Sequence, residues 1–178
     1  DVDFSRYYFF HSNYFLNKND IKKAEKILDS SLNLFPRNLI LNQLKEDINF
    51  QKNAFSNTFD CKNLSHVVAE IFYIVSNALS GQSLYSLSNF YLNLSKYLNP
   101  DFASFDALYA ENYYMTRNYE KAKKVYKKVK DNGTFYHWHA SKQISNILMI
   151  EKKEDLAEEL LKKAFNIIDD PSIYQIFD

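Results

Sequence analysis

An all-helical fold of stacked antiparallel helix pairs, an α-solenoid, is the class this sequence predicts, on three observations. Only two glycines and three prolines occur in 178 residues, too few for a fold of many tight turns, because turns and bulges call for backbone at positive φ. Apolar residues recur at steps of three and four, the period of one face of a helix. Small residues recur at a longer period. Ala24, Ser88, Ala122 and Ala157 are each followed four positions later by a large residue and seven later by a small or β-branched one. Ser88 to Ala122 spans 34 residues, Ala122 to Ala157 spans 35, and Ala24 to Ser88 spans 64, close to two periods.

Taken in order, the elements fill about five units within one helical-repeat domain over residues 1–178. The unit at 5–36 pairs a helix carrying Ser12 and Phe15 with one carrying Ala24, Leu28 and Ser31, through the polar turn NKND at 17–20, and Pro36 closes it. Residues 37–68 keep half of this pattern. LILNQLKEDINF (39–50) sets Leu41, Leu44 and Ile48 on one side with Ile40 beside them, whereas QKNAFSNTFDCKN (51–63) loses the period. A degenerate repeat is expected there, with a short second helix opening into a loop.

The unit at 69–102 carries Ser76 and Leu79, then Ser88, Leu92 and Ser95, closed by Pro100. Asp101 follows and is expected to cap the next helix, since proline restricts the residue before it and a carboxylate accepts from the free N–H groups of a helix start. The unit at 103–137 carries Ala110 and Tyr113, the turn TRN at 116–118, then Ala122, Tyr126 and Val129. Its lysines in YEKAKKVYKKVK (119–130) are expected on a solvated outer face, their stems covering apolar surface. The last unit, 138–171, carries Ser145 and Leu148, then Ala157, Leu161 and Ala164. Twelve residues before each anchor stands another small residue (Ser12, Ser76, Ala110, Ser145), which lets two antiparallel helices approach closely.

This pattern resembles the tetratricopeptide repeat, a 34-residue helix–turn–helix with small residues at its eighth, twentieth and often twenty-seventh positions and a closing proline. The chain departs from the family in lacking a Trp-x-x-Leu-Gly-x-x-Tyr string and in often using serine for alanine or glycine. Trp138 stands three positions before the family's usual aromatic slot. The AEIFYIVSNAL stretch (69–79), the LNPDF junction (98–102) and GTFYHWHA (133–140), taken as a short aromatic loop before the next helix, are similar to tetratricopeptide proteins of alphaproteobacteria. The resemblance implies a right-handed superhelix of four to five repeats and a piece of a longer solenoid.

Totals and motifs bound the function. Lysine plus arginine equals aspartate plus glutamate at 22 each, so the basic excess of a dedicated nucleic-acid binder is missing. No apolar run approaches the roughly 20 residues that span a bilayer, and no membrane insertion is expected. One cysteine, Cys61, excludes an intramolecular disulfide and lacks a motif that would activate a thiolate. The sequons at Asn63, Asn93 and Asn132 are read as chance matches in an asparagine-rich chain. His137 and His139 frame Trp138, but residues two apart on a helix diverge by about 200°, so aromatic packing is expected there rather than metal. Phosphate-loop, dinucleotide, Ser-His-Asp and zincin signatures are absent. The expectation is no enzyme, no cofactor, no metal and no small-molecule substrate.

A protein or peptide partner is what remains, held in the groove that the first helices of such repeats line. By the resemblance, the groove residues are Phe9 and Asn13, Tyr73 and Asn77, Glu111, and Lys142 and Asn146. Asparagine recurs at the ninth position of three units (Asn13, Asn77, Asn146), and its amide can donate and accept at once, which suits an extended peptide backbone. Phe9 stands where chaperone-binding relatives carry a lysine, so an acidic peptide terminus is not the expected ligand. A second reading makes the chain a structural segment of a larger solenoid in an envelope-associated or exported assembly. It rests on the uncapped apolar end PSIYQIFD (171–178).

Overall fold

The structure, a computed structural model, describes residues 5–50 and 59–167. Among these residues the chain forms nine α-helices and no strand. The sequence predicts one domain; the chain divides into two compact units, each described here by itself.

The first unit holds α1 (Ser5–Leu16), α2 (Ile21–Leu34) and α3 (Leu39–Asn49). Its core joins Phe9, Ser12 and Leu16 of α1 to Ala24, Leu28 and Ser31 of α2, and α3 adds Ile40, Leu41, Leu44 and Ile48. The spacing picks out Ser12 and the named residues of α2 and α3; in α1 Phe9 and Leu16 are buried, whereas Phe15 is half-buried. Asp20 caps α2 by accepting from the Lys23 N–H, and Asn38 caps α3 by accepting from the Leu41 N–H. Asn42 donates to the carbonyls of Pro36 and Asn38 at 2.9 and 2.8 Å, tying the α2–α3 connection to the helix it feeds. The second half of the degenerate repeat falls on residues 51–58, outside those described, as does PSIYQIFD.

The second unit holds α4 (Leu64–Gly81), α5 (Tyr85–Leu98), α6 (Ala103–Met115), α7 (Tyr119–Val129), α8 (Thr134–Ile150) and α9 (Glu154–Phe165). Its helices pack as the pairs α4–α5, α6–α7 and α8–α9, with α5 on α6 and α7 on α8. Ser76 and Ser88, both fully buried, show how one pair closes. The Ser76 hydroxyl lies 2.7 Å from the Ser88 carbonyl, to which it donates, and 2.9 Å from the Ser88 hydroxyl. One helical stretch away, Ser95 donates to the Ala69 carbonyl at 2.9 Å. Seven residues forward from Ala69 to Ser76 thus move the partner seven back, from Ser95 to Ser88, which makes the pair antiparallel. The same twelve-residue offset returns in α8–α9, where Ser145 donates to the Ala157 carbonyl at 3.4 Å. Ala110 and Ala122, at that offset in α6–α7, are both fully buried.

The turns inside the pairs are copies of one another. Asp20, Leu84, Asn118 and Lys153 each donate their backbone N–H to the carbonyl five residues back, on Phe15, Leu79, Tyr113 and Leu148. The residue before each donates to the carbonyl three back, and the two bonds together form a Schellman motif. That motif holds one residue in left-handed backbone. Here it is Asn19, Ser83, Arg117 and Lys152, with φ of 57, 63, 59 and 60°, spaced 64, 34 and 35 residues apart. The large residues three after Ser12, Ser76, Ala110 and Ser145 are the carbonyl acceptors of these turns.

Two local expectations are corrected. Asp101 does not cap α6: the N-cap is Phe102, which makes no side-chain cap bond. Phe102 is buried, stacks on Phe105 at 5.1 Å, and so anchors the helix start by packing. GTFYHWHA is not a loop. α8 begins at Thr134, directly after Gly133, whose φ of 132° suits glycine alone. Phe135, Tyr136 and Trp138 are therefore helical core residues of α8.

Ser76→Ala removes one partner of a buried network and lowers stability by about 1–3 kcal/mol. Ser12→Ala leaves stability unchanged or raised, because the buried Ser12 hydroxyl has no hydrogen-bond partner among the described residues. Urea denaturation followed by circular dichroism checks both; equal losses in the two variants would contradict the assignment. Lys152→Gly relieves left-handed strain that a side chain cannot escape, and the urea midpoint rises by an equivalent of about 1 kcal/mol. A lower midpoint would count against the turn geometry.

Candidate functional site

The residues expected in the groove lie on helices that alternate along the chain. Tyr73 and Asn77 sit on α4, Glu111 on α6, and Lys142 and Asn146 on α8. Each of these helices gives one side to its paired helix, α5, α7 or α9, through the small residues already described. That constraint leaves the register of Asn77, Glu111 and Asn146 exposed.

Tyr73 links two of these helices. Its half-buried ring tilts against Phe105 of α6, with centroids 5.3 Å apart. Close by, the Ser80 hydroxyl of α4 donates to the Asn112 side-chain carbonyl of α6 at 2.6 Å. Asn112 in turn donates to the Ser88 hydroxyl and the Asn89 side-chain carbonyl of α5 at 2.7 and 2.8 Å. Three helices meet at one fully buried amide, so the α4 and α6 parts of the face are held at a fixed spacing.

Tyr126 of α7 performs the corresponding task between α6 and α8. It is fully buried, and its ring stands 6.1 Å from that of His139. Burial raises the Tyr126 hydroxyl pKa, and the nearby Glu111 and Tyr114 raise it further. Glu111 is exposed, yet the surrounding protein desolvates its carboxyl and raises its pKa. His139 is held below the usual imidazole range by burial first and by Lys142 second. Tyr126 thus has the His139 ring beside it and the Glu111 carboxyl near enough to act on its hydroxyl.

The asparagines differ in what they bond. Asn13, Asn77 and Asn146 make no side-chain hydrogen bond among the described residues, whereas Asn38, Asn42, Asn63 and Asn112 are committed to caps, turns or the core. Phe9 and Asn13 belong to the first unit. Phe9 is buried, with its ring 5.4 Å from Phe10, and so packs where a surface pocket is expected; Asn13 is half-buried. The family register also puts His139 in the groove, whereas Tyr126 and Asn112 were not singled out as site residues. The position of His139 near the start of α8 was available from the register, but the role of Asn112 depends on which helices are neighbours, which no spacing encodes.

The remaining candidates are placed as follows. Cys61 is exposed in the turn before α4. His11 stacks between Tyr7 and Phe15 at 5.5 and 5.2 Å. Among the described residues no three His, Cys, Asp or Glu side chains converge in a way that could hold a metal ion, and no helix is long and apolar enough to cross a membrane. Compared with known proteins, the chain matches no protein-family model and no curated sequence.

The two shifted groups act on stability in opposite directions. His139 binds its proton more readily unfolded, so its contribution is lost as pH falls below the unfolded value of about 6.5. His137 acts in the same direction, held low by burial first and by Lys130 second. Glu111 prefers its proton in the folded state, so its contribution grows as pH falls toward its ordinary 4.5. His139→Gln therefore flattens the fall in melting temperature between about pH 7.5 and pH 5.5, and Glu111→Gln steepens it. Calorimetry across that range checks both slopes; parallel curves for all three proteins would contradict the desolvation of Glu111 and His139.

Proposed function

We propose that the chain is a non-enzymatic helical-repeat scaffold, tetratricopeptide-like and right-handed, that binds an extended peptide or helix of a partner protein along the face formed by α4, α6 and α8. The observation carrying this reading is that Asn77 on α4 and Asn146 on α8 are exposed and make no side-chain hydrogen bond among the described residues. An amide pair of this kind can bond a peptide backbone without reading its sequence. The half-buried rings of Tyr73 on α4 and His139 on α8 add aromatic surface on the same alternating helices. The repeated Schellman turns and the twelve-residue offset support the repeat assignment, since both recur at the sequence period.

A second reading is favoured by the exposed Phe165 at the end of α9 and the exposed Ile167 just after it. In that reading the chain is a structural segment of a larger solenoid, and a further helix stacks on α9.

Selection of a displayed random-peptide library on the protein tests the first reading. Selected peptides are expected to lose at least tenfold in affinity for the Asn77→Ala/Asn146→Ala variant. Equal binding to both proteins would place the ligand elsewhere and overturn it.

A further inference from the structure

We propose that the groove between α7, α8 and α9 is a separate docking site for an acidic amphipathic helix of a partner protein. It encloses about 500 Å³. Its floor is made by Ile144 and Leu148 of α8 with Leu156 and Leu160 of α9. Residues two apart on a helix point about 200° away from each other, so Ile144 and Leu148 face away from the side of α8 that carries Lys142 and Asn146. The groove is thus distinct from the face assigned above. Leu156 is 53% exposed and Leu148 and Leu160 are half-buried, which leaves apolar carbon open to water along the floor.

The rim states the charge of the occupant. Glu120, Lys123, Lys124 and Lys127 of α7 form one wall, and Lys163 with Glu159 stands on the other. Some of this charge is already neutralised. Lys123 pairs with Glu120 at 2.7 Å and with Glu151 at 2.6 Å, and Lys163 pairs with Glu159 at 2.6 Å. Lys124 and Lys127 are exposed and have no carboxylate partner among the described residues. Both belong to the strip of α7 opposite its buried Ala122, Tyr126 and Val129. An apolar floor beneath two uncompensated cations fits a helix whose i, i+3, i+4 apolar stripe is flanked by carboxylates. A nucleic-acid backbone would satisfy the cations but leave Leu156 and Leu160 uncovered, so a protein helix is the better match.

The test measures fluorescence anisotropy of a labelled peptide that forms a helix with leucine on one side and glutamate on the other, alongside the same peptide with lysine for glutamate. The intact chain is expected to bind the glutamate peptide saturably and the lysine peptide at least tenfold more weakly. Lys124→Glu/Lys127→Glu and, separately, Leu156→Glu should each weaken the glutamate peptide at least tenfold; these surface changes keep the fold, which circular dichroism verifies. Asn77→Ala/Asn146→Ala should leave its binding unchanged, so failure here and failure of the α4–α6–α8 reading are distinguishable. Equal binding of the two peptides, or insensitivity to Leu156→Glu with displacement by a short RNA duplex, would overturn the proposal. So would concentration-dependent self-association abolished by Lys124→Glu/Lys127→Glu, which would assign the groove to a second copy.

Discussion

The close approach of two helices through small side chains is the constraint on which the second unit rests. Ser76 against Ser88 brings the backbones of α4 and α5 near enough for a side-chain hydroxyl to reach a main-chain carbonyl of the other helix. A leucine at either place would force the helices apart, a change that costs about 1–3 kcal/mol in a packed core. It would also break the bonds from Asn112, which uses the Ser88 hydroxyl to hold α6 on the same pair. Pair geometry and the spacing between pairs are therefore set at one place. The exposed ion pairs of α9, Lys162 with Glu158 and Lys163 with Glu159, contribute little by comparison, because solvent screens them.

From that constraint the surfaces follow. Once α4, α6 and α8 each give a side to α5, α7 and α9, the next position round each helix, about 100° away, is left exposed and carries Asn77, Glu111 and Asn146. The second helices meanwhile turn Ala122, Tyr126 and Val129 inward and leave the lysines outside. Tyr126 shows how packing and electrostatics coincide: its ring is buried beside His139, and its hydroxyl pKa is raised by that burial first and by Glu111 and Tyr114 further.

Much of this was legible in the sequence wherever a residue's size was the cause. The anchors Ala24, Ser88, Ala122 and Ala157 are buried, and so are their partners twelve residues earlier. What escaped was set by backbone conformation or by neighbours distant in sequence. The four left-handed turn residues are Asn, Ser, Arg and Lys, so no glycine marks them, even though scarcity of glycine was itself a signal for the fold. The start of α8 was hidden because Gly133 serves as a helix N-cap at positive φ and the aromatics after it read as a loop. The lysines of α7 were expected to be a solvated back. Their outward direction was right, but the apolar groove beside them is made by α8 and α9 and has no trace in the segment itself.

The most direct test of the pairing is a distance that the twelve-residue offset demands, between the side chains of Ala110 and Ala122. In protein labelled at alanine methyl groups, a nuclear Overhauser experiment should give a strong cross-peak between these two methyls. No cross-peak from Ala110 to Ala122, with contacts instead to residues one turn away along α7, would contradict the register on which the pairs and both surfaces are built.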